Sequence, residues 1–307
     1  MKIVFMGSPD FAVPSLERLQ VSGHEIVAVV SNVDKRRGRG GDASPTPVKR
    51  RALELDLPVI EVENLDDPGF HERLRAKGAD LFVVVAFRIL PDAVLDIPPK
   101  GTVNLHASLL PRYRGAAPIH WAVINGEEET GCTVFFVQSE VDTGQILLQR
   151  STPIGPEEIT GDLYARLKGL GADLLAEGLD LIASGDYTLR DQDHGMATAA
   201  PKLFPEDARL DFSRPALEVH NRIRGLSPVP GAWAELDDLK FTIYRSRVGP
   251  DGTGLAPGRL DERNGSLLTG CGKGGSVELV QVQLAGKKRM AGMDFFRGYH
   301  GTGVLHG

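Results

Sequence analysis

Short apolar runs alternate with amphipathic stretches through the first half of the chain. Residues 2–6, 26–30, 81–85 and 103–105 read as buried strands, and residues 14–20, 48–55, 70–77 and 117–125 as the helices between them. That alternation predicts an α/β fold, a doubly wound and mostly parallel sheet covered on both faces. A further strand over 145–149 and a long helix over 159–184 follow. Residues 186–205 then lose the periodicity and read as a polar linker containing Gly195 and Pro201. Beyond them the pattern changes to one helix, 215–224, and short strands separated by Pro/Gly turns at 228–231 and 249–252, which predicts a small β-barrel. The expected organisation is a first domain over 1–185, the linker over 186–205 and a barrel domain over 206–307.

Length and composition permit this plan: 307 residues with 41% hydrophobic content can bury two cores. A net charge of −6 argues against non-specific nucleic-acid binding, yet the charge is unevenly placed. Residues 1–205 hold 21 Lys and Arg against 29 Asp and Glu, whereas residues 206–307 hold 14 against 12, so the C-terminal third is mildly basic. Cys132 and Cys271 lie far apart without His or Cys at metal-ligand spacing, which suggests neither a zinc site nor a disulfide framework and fits a reducing cytoplasm. The first apolar run breaks at Gly7, too early for a signal peptide, and no stretch reaches the roughly 20 apolar residues of a membrane span.

Candidate chemistry gathers where polar residues interrupt the apolar pattern. Thr102 to His106 alternates as a strand, so Asn104 and His106 share one face, at the carboxyl end where such sheets bind ligands. Ser108, Leu109, Leu110 and Pro111 form a turn after it, Arg112, Arg114 and Gly115 follow, and a separate turn is made by Asp142, Thr143 and Gly144. An amide donor can stabilise an oxyanion, an imidazole can move a proton, and a carboxylate can orient that imidazole. Ser108 is a poor nucleophile candidate because it lacks the G-x-S-x-G elbow. The turn after the first strand, 7–10, lacks the second and third glycines of a dinucleotide fingerprint. Lys35, Arg36, Arg37 and Arg39 crowd a glycine-flanked loop that cannot pack into a core; taken alone it is a solvated loop.

The spacing N-x-H-x-S-L-L-P-x-x-R-G followed by D-T-G resembles the folate-dependent formyltransferases, and every element is present from Asn104 to Gly115 and at Asp142 to Gly144. The resemblance extends to residues 3–11, Gly38 to Gly40 and Ala285 to Lys288, which are similar to the branch acting on the methionine of initiator tRNA. It implies 10-formyltetrahydrofolate as formyl donor, initiator methionyl-tRNA as acceptor, a cytoplasmic monomer without a metal, and a C-terminal barrel of the oligonucleotide-binding type. Asn104, His106 and Asp142 are then catalytic. Ser108, Leu109, Leu110 and Pro111 would contact folate together with the wall at Phe87, Arg88 and Ile89. Lys35, Arg36, Arg37 and Arg39 would meet tRNA phosphates, with Arg222, Arg224, Lys287, Lys288 and Arg289 facing the acceptor arm. One departure stands out: the loop at Phe87 to Ile89 is one residue shorter than the family pattern and lacks its glycine, which predicts an altered local folate pocket. The alternatives are a formyltransferase for a small amine, which would not need the basic loop, and a non-catalytic tRNA- or folate-binding relative.

Overall fold

The computed structural model describes residues 1–36 and 43–307. The chain forms two compact units, one of Met1–Gly115, Gly131–Thr152 and Ala165–Ala199, the other of Ala116–Thr130, Pro153–Tyr164 and Ala200–Gly307. The second unit therefore draws in two earlier segments besides the C-terminal stretch.

In the first unit the strands are β1 (Lys2–Gly7), β2 (Glu25–Asn32), the short pair β3 (Lys35–Arg36) and β4 (Ala43–Ser44), β5 (Val59–Val62), β6 (Leu81–Val85), β7 (Thr102–His106), β8 (Glu129–Phe136) and β9 (Ile146–Pro153). Seven of them form one sheet in the order β5-β2-β1-β6-β7-β8-β9. Pairing is parallel from β5 through β7, and β8 runs antiparallel to β7. Ile3 to Met6 and Leu81 to Val83 are wholly buried, as continuous apolar runs in a two-sided sheet should be. The helices α1 (Val13–Gln20), α2 (Pro47–Glu54), α3 (Pro68–Arg75) and the single turn α4 (Asp92–Leu95) fill the connections. α2 and α3 start on sequence signals: Thr46 accepts from the Lys49 amide and Asp67 from the Gly69 and Phe70 amides, each followed by Pro at the first helical position. Phe70 and Leu74 of α3 pack with Val4, Met6, Val30, Phe82 and Val84 on one sheet face. The strand order reverses between β1 and β6, which marks the crevice beyond their carboxyl ends as the ligand position.

The second unit contains α5 (Pro118–Ile124), the start of α6 (Thr160–Ser184), α7 (Ala216–Gly225), strands β10 (Ala232–Leu236), β11 (Leu239–Val248), β12 (Leu260–Arg263), β13 (Ser266–Gly270), β14 (Ser276–Leu284) and β15 (Met290–Ala291), helix α8 (Gly292–Arg297), and β16 (Leu305–His306). The sheet order is β12-β13-β14-β11-β10-β16, with β15 beside β14. The chain end closes it: β16 pairs with β10, while Val304 bridges Arg259 just before β12 and the Leu305 amide donates to the Gly258 carbonyl at 2.8 Å. Gly258 has a φ of +79°, and a Cβ there would lie 2.2 Å from the Leu305 carbonyl oxygen, so only glycine allows the closure. Ala232, Ala234, Leu236, Phe241, Ile243, Val277, Leu279 and Val282 fill the interior. This is the small barrel that the turn-rich pattern predicts. Among the described residues no helix is long and apolar enough to cross a membrane.

Candidate active site

β7 delivers the side chains that the alternation predicts. It lies between β6 and β8, with Asn104 opposite Val84 and Phe135 and His106 opposite Thr133, so both polar residues project from one face at the strand's end. His106 is 6% exposed. Its Nε2 lies 2.8 Å from the Tyr113 carbonyl, which can only accept, so Nε2 carries the proton. Nδ1 is left facing the Asp142 carboxylate at 3.6 Å, longer than a hydrogen bond but within ion-pair range. Asn104 is half-buried, and its Oδ1 is shielded from solvent without a hydrogen-bond partner among the described residues. A buried acceptor left unmatched is costly unless a ligand donor completes it.

Each turn around these groups is tied down. Ser108 is fully buried and donates from Oγ to the Arg112 carbonyl at 2.6 Å, so its hydroxyl caps the turn and is not free to attack a substrate. Thr133 Oγ1 donates to the Ser108 carbonyl and accepts from the Leu110 amide, and Gln149 donates to the Leu110 carbonyl at 2.8 Å. Asp142 takes a φ of +55° and accepts from the Gly115 amide through Oδ2 at 2.9 Å. Two residues on, a Cβ at Gly144 would lie 1.7 Å from the Phe136 carbonyl oxygen, which explains the glycine of the D-T-G turn.

Sequence reasoning missed the residues that join these turns. Gln192, inside the stretch read as a linker, is 6% exposed and donates from Nε2 to the carbonyls of Asp142 at 2.9 Å and Gly144 at 2.8 Å. Its Oε1 accepts from Arg114 Nε at 3.2 Å and Nη2 at 2.6 Å. Thr198 accepts from the Tyr113 amide at 2.8 Å and from the Arg114 amide through its carbonyl. The only available signal was weak: a run of polar residues too short of glycine to be wholly flexible. Arg114 is thus occupied by Gln192 and the His194 ring, while Arg112 is exposed with its guanidinium over the Tyr113 ring.

The wall at Phe87 to Ile89 is entered through a strained residue. Ala86 takes a φ of +48°, a conformation that L residues adopt at a cost. Phe87 packs partly into the core beneath the sheet. Arg88 turns away to donate to the carbonyls of Glu63 at 2.8 Å and Val62 at 3.0 Å, its guanidinium pKa lowered by burial. Ile89, by contrast, is 71% exposed, and in the turn after β7 Leu110 is buried while Leu109 and Pro111 are half-buried.

The basic residues divide into different environments. Lys35 and Arg36 form β3, paired with β4; Arg37 and Arg39 lie outside the described residues. Lys49, at the start of α2, is neutralised by Asp34 and Glu61, both at 2.8 Å. Lys287, Lys288 and Arg289 are exposed on the turn after β14, Arg289 lying 3.4 Å over the Tyr244 ring centroid. Arg222 donates to the Asp207 carbonyl. Arg224 requires a correction: it is 4% exposed, bonded to Asn221 at 2.8 Å and to the carbonyls of Gly155 and Glu158, so it braces the second unit and presents no charge to a partner. Both thiols, Cys132 and Cys271, are buried, and burial pushes each up to about 12, which leaves them without thiolate character.

Comparison with known proteins adds an independent line. Residues 1–179 match the formyl transferase family and residues 202–300 the formyl transferase C-terminal domain. A methionyl-tRNA formyltransferase of Citrifermentans bemidjiense is 45% identical over 302 residues, covering 97% of this chain and 94% of that protein. The methionyl-tRNA formyltransferase of Chlorobium luteolum is 46% identical over 305 residues, covering 97% of each chain. Among solved structures, an N-formyltransferase of Helicobacter canadensis in complex with folinic acid and dTDP-3-aminofucose superposes with a TM-score of 0.70 at 21% identity, covering 91% of this chain and 98% of that one. A sugar 3N-formyl transferase crystallised with dTDP and 5-N-formyl-THF gives 0.68 at 20% identity, covering 94% and 99%. At such identities the structural likeness establishes the fold alone.

Proposed function

This chain belongs to the methionyl-tRNA formyltransferase family, and from that premise we propose that it transfers the formyl group of 10-formyltetrahydrofolate to the amino group of methionine on initiator tRNA. The observation that carries this reading is the meeting of Asn104, His106 and Asp142 at the end of β7, with one buried acceptor still unmatched. The amine nitrogen attacks the formyl carbon, the carbonyl oxygen becomes an oxyanion, and the carbon–nitrogen bond to folate breaks as that nitrogen takes up a proton. The Asn104 amide supplies N–H donors to the oxyanion, and its Oδ1 is an acceptor for an N–H of the bound reactants. With Nε2–H committed to the Tyr113 carbonyl, Nδ1 is the imidazole nitrogen that takes the amine's proton, with the Asp142 carboxylate 3.6 Å from it.

The residues at the carboxyl ends of β6 and β7 fit a folate donor. Exposed Ile89 offers an apolar surface to a flat ring, backbone groups of the 86–89 turn lie beside it, and the 108–111 turn follows the neighbouring strand β7. The acceptor is bound by Lys35, Arg36, Arg37 and Arg39 as phosphate contacts, with Lys287, Lys288 and Arg289 on the barrel and Arg222 nearby in sequence to the braced Arg224. Such contacts position tRNA without reading its sequence. The protein acts as a monomer.

One assay tests the reading: incubate the protein with 10-formyltetrahydrofolate and charged initiator tRNA, then look for formylmethionyl-tRNA. Product with free small amines but none with charged tRNA would move the protein to the small-amine formyltransferases. Replacing Lys35, Arg36, Arg37 and Arg39 with Ser should weaken tRNA use and flatten its salt dependence by about 0.9 in log–log slope per lost phosphate contact, leaving folate binding intact.

A further inference from the structure

We propose that Gln192 is a positioning residue for formyl transfer, acting through Asp142. This rests on the function proposed above. Gln192 has no counterpart in the signature that identifies the site, and it lies 48 and 50 residues from its two carbonyl partners. Three observations support the assignment. The side chain is 6% exposed, and it uses both its donor and its acceptor atoms on partners from two different turns. Its donors hold the main-chain carbonyls on either side of Thr143, and Asp142 itself sits in the left-handed region at a φ of +55°. Its acceptor holds Arg114, the residue between Tyr113, whose carbonyl orients His106, and Gly115, whose amide orients Asp142. Both external partners of the His106 ring are therefore set by turns that Gln192 ties together.

The Asp142 turn has a specific reason to need this. A non-glycine residue with positive φ is strained relative to the ordinary regions and persists only where its surroundings hold it. The His106 to Asp142 separation of 3.6 Å leaves no direct hydrogen bond to fix the carboxylate from the imidazole side. The carboxylate is located by one amide, that of Gly115, and by the conformation of its own turn, which Gln192 fixes. Misplacing a reacting group by about 1 Å can cost on the order of 10² in rate. The donor pair of Gln192 thus governs turnover by where it places Asp142, with no contact of its own to the reacting atoms.

The test uses full-length Gln192→Met, which keeps the volume and removes the polar atoms, and Gln192→Glu, which keeps the acceptor for Arg114 and removes both N–H donors. Each is assayed for formylmethionyl-tRNA formation alone and on an Asp142→Asn background, well below its thermal midpoint. Product from the unaltered protein in the same assay establishes the activity itself, so failure of the reaction is separable from failure of this inference. Both single variants should lose about 10–100-fold in kcat, with KM for tRNA and for the folate donor within about twofold of the parent. On the Asp142→Asn background the same changes should cost less than about threefold, because the group they place is already disabled. Equal losses in both backgrounds, a loss confined to KM, or full activity of Gln192→Glu would each overturn the proposal.

Discussion

His106 and His220 are both buried, and both donate Nε2–H to a backbone carbonyl, of Tyr113 at 2.8 Å and of Pro156 at 3.0 Å. They differ at the other nitrogen. His220 Nδ1 is closed by the Ser246 hydroxyl at 2.9 Å, and its neighbours Asn221 and Arg224 are bonded to one another, Arg224 also to the 155–158 loop. His106 Nδ1 faces a carboxylate that stays at 3.6 Å, two residues along the strand from an Asn104 oxygen with no partner among the described residues. The second cluster is complete and braces a helix against a loop. The first is left with unfilled hydrogen-bonding capacity in one direction, and that incompleteness is what a reaction site requires. Burial and a polar composition are shared by both, so neither property by itself distinguishes chemistry from support.

The strongest way to break this contrast is to truncate the open cluster. Asn104→Ala and His106→Ala should each lower kcat by about 10²–10³, the usual cost of losing an oxyanion donor or a positioned base, while the proteins stay folded. Near-normal turnover in either would remove its assigned role.

Arg224→Met should do the reverse. It leaves the carbonyls of Gly155 and Glu158 and the Asn221 oxygen without a buried donor, which costs about 1–3 kcal/mol of stability, measured by denaturant midpoint. Turnover by the folded fraction should be unchanged. A selective loss of tRNA affinity at full stability would return Arg224 to the acceptor-binding set.

The smallest effect is a pH dependence that sharpens the comparison. Burial lowers the His220 pKa from the ordinary 6.5, and the Arg224 charge lowers it further against the opposing Pro156 bond and Glu157. The unfolded chain therefore binds this proton more readily than the native one, so stability is present above the unfolded value and declines as pH falls below about 6.5. His24 and His120 are shifted in the same direction, also chiefly by burial. His220→Gln should flatten the decline in thermal midpoint between neutral and mildly acid pH; an unchanged slope would show that the other histidines carry it.

Much of the site was legible in sequence because it is local. The Asn-x-His alternation places two side chains on one face wherever that strand sits, and β7 forms where the pattern puts it. The long helix and the helix before the barrel appear within one residue of their expected starts, as Thr160–Ser184 and Ala216–Gly225. β5 and β8 went unread, and their edges become strands through partners distant in sequence. The positive φ of Ala86, just after β6, has no signal in the sequence, because it depends on how β6 enters the 86–91 turn.

Sequence alone therefore determined the doubly wound class, the turn-rich barrel and the pairing of Asn104 with His106 on one strand face, because periodicity acts over a few residues. Tertiary structure decided which polar groups are closed and which are open. Arg224 reads as a helix-surface charge, yet its guanidinium bonds the Gly155 and Glu158 carbonyls, and Gln192 reads as linker, yet it bridges two turns. Hydrogen bonds that span 48 to 78 residues, as those of Gln192 do, leave no periodic trace along the chain. They exist only once folding has brought their partners together.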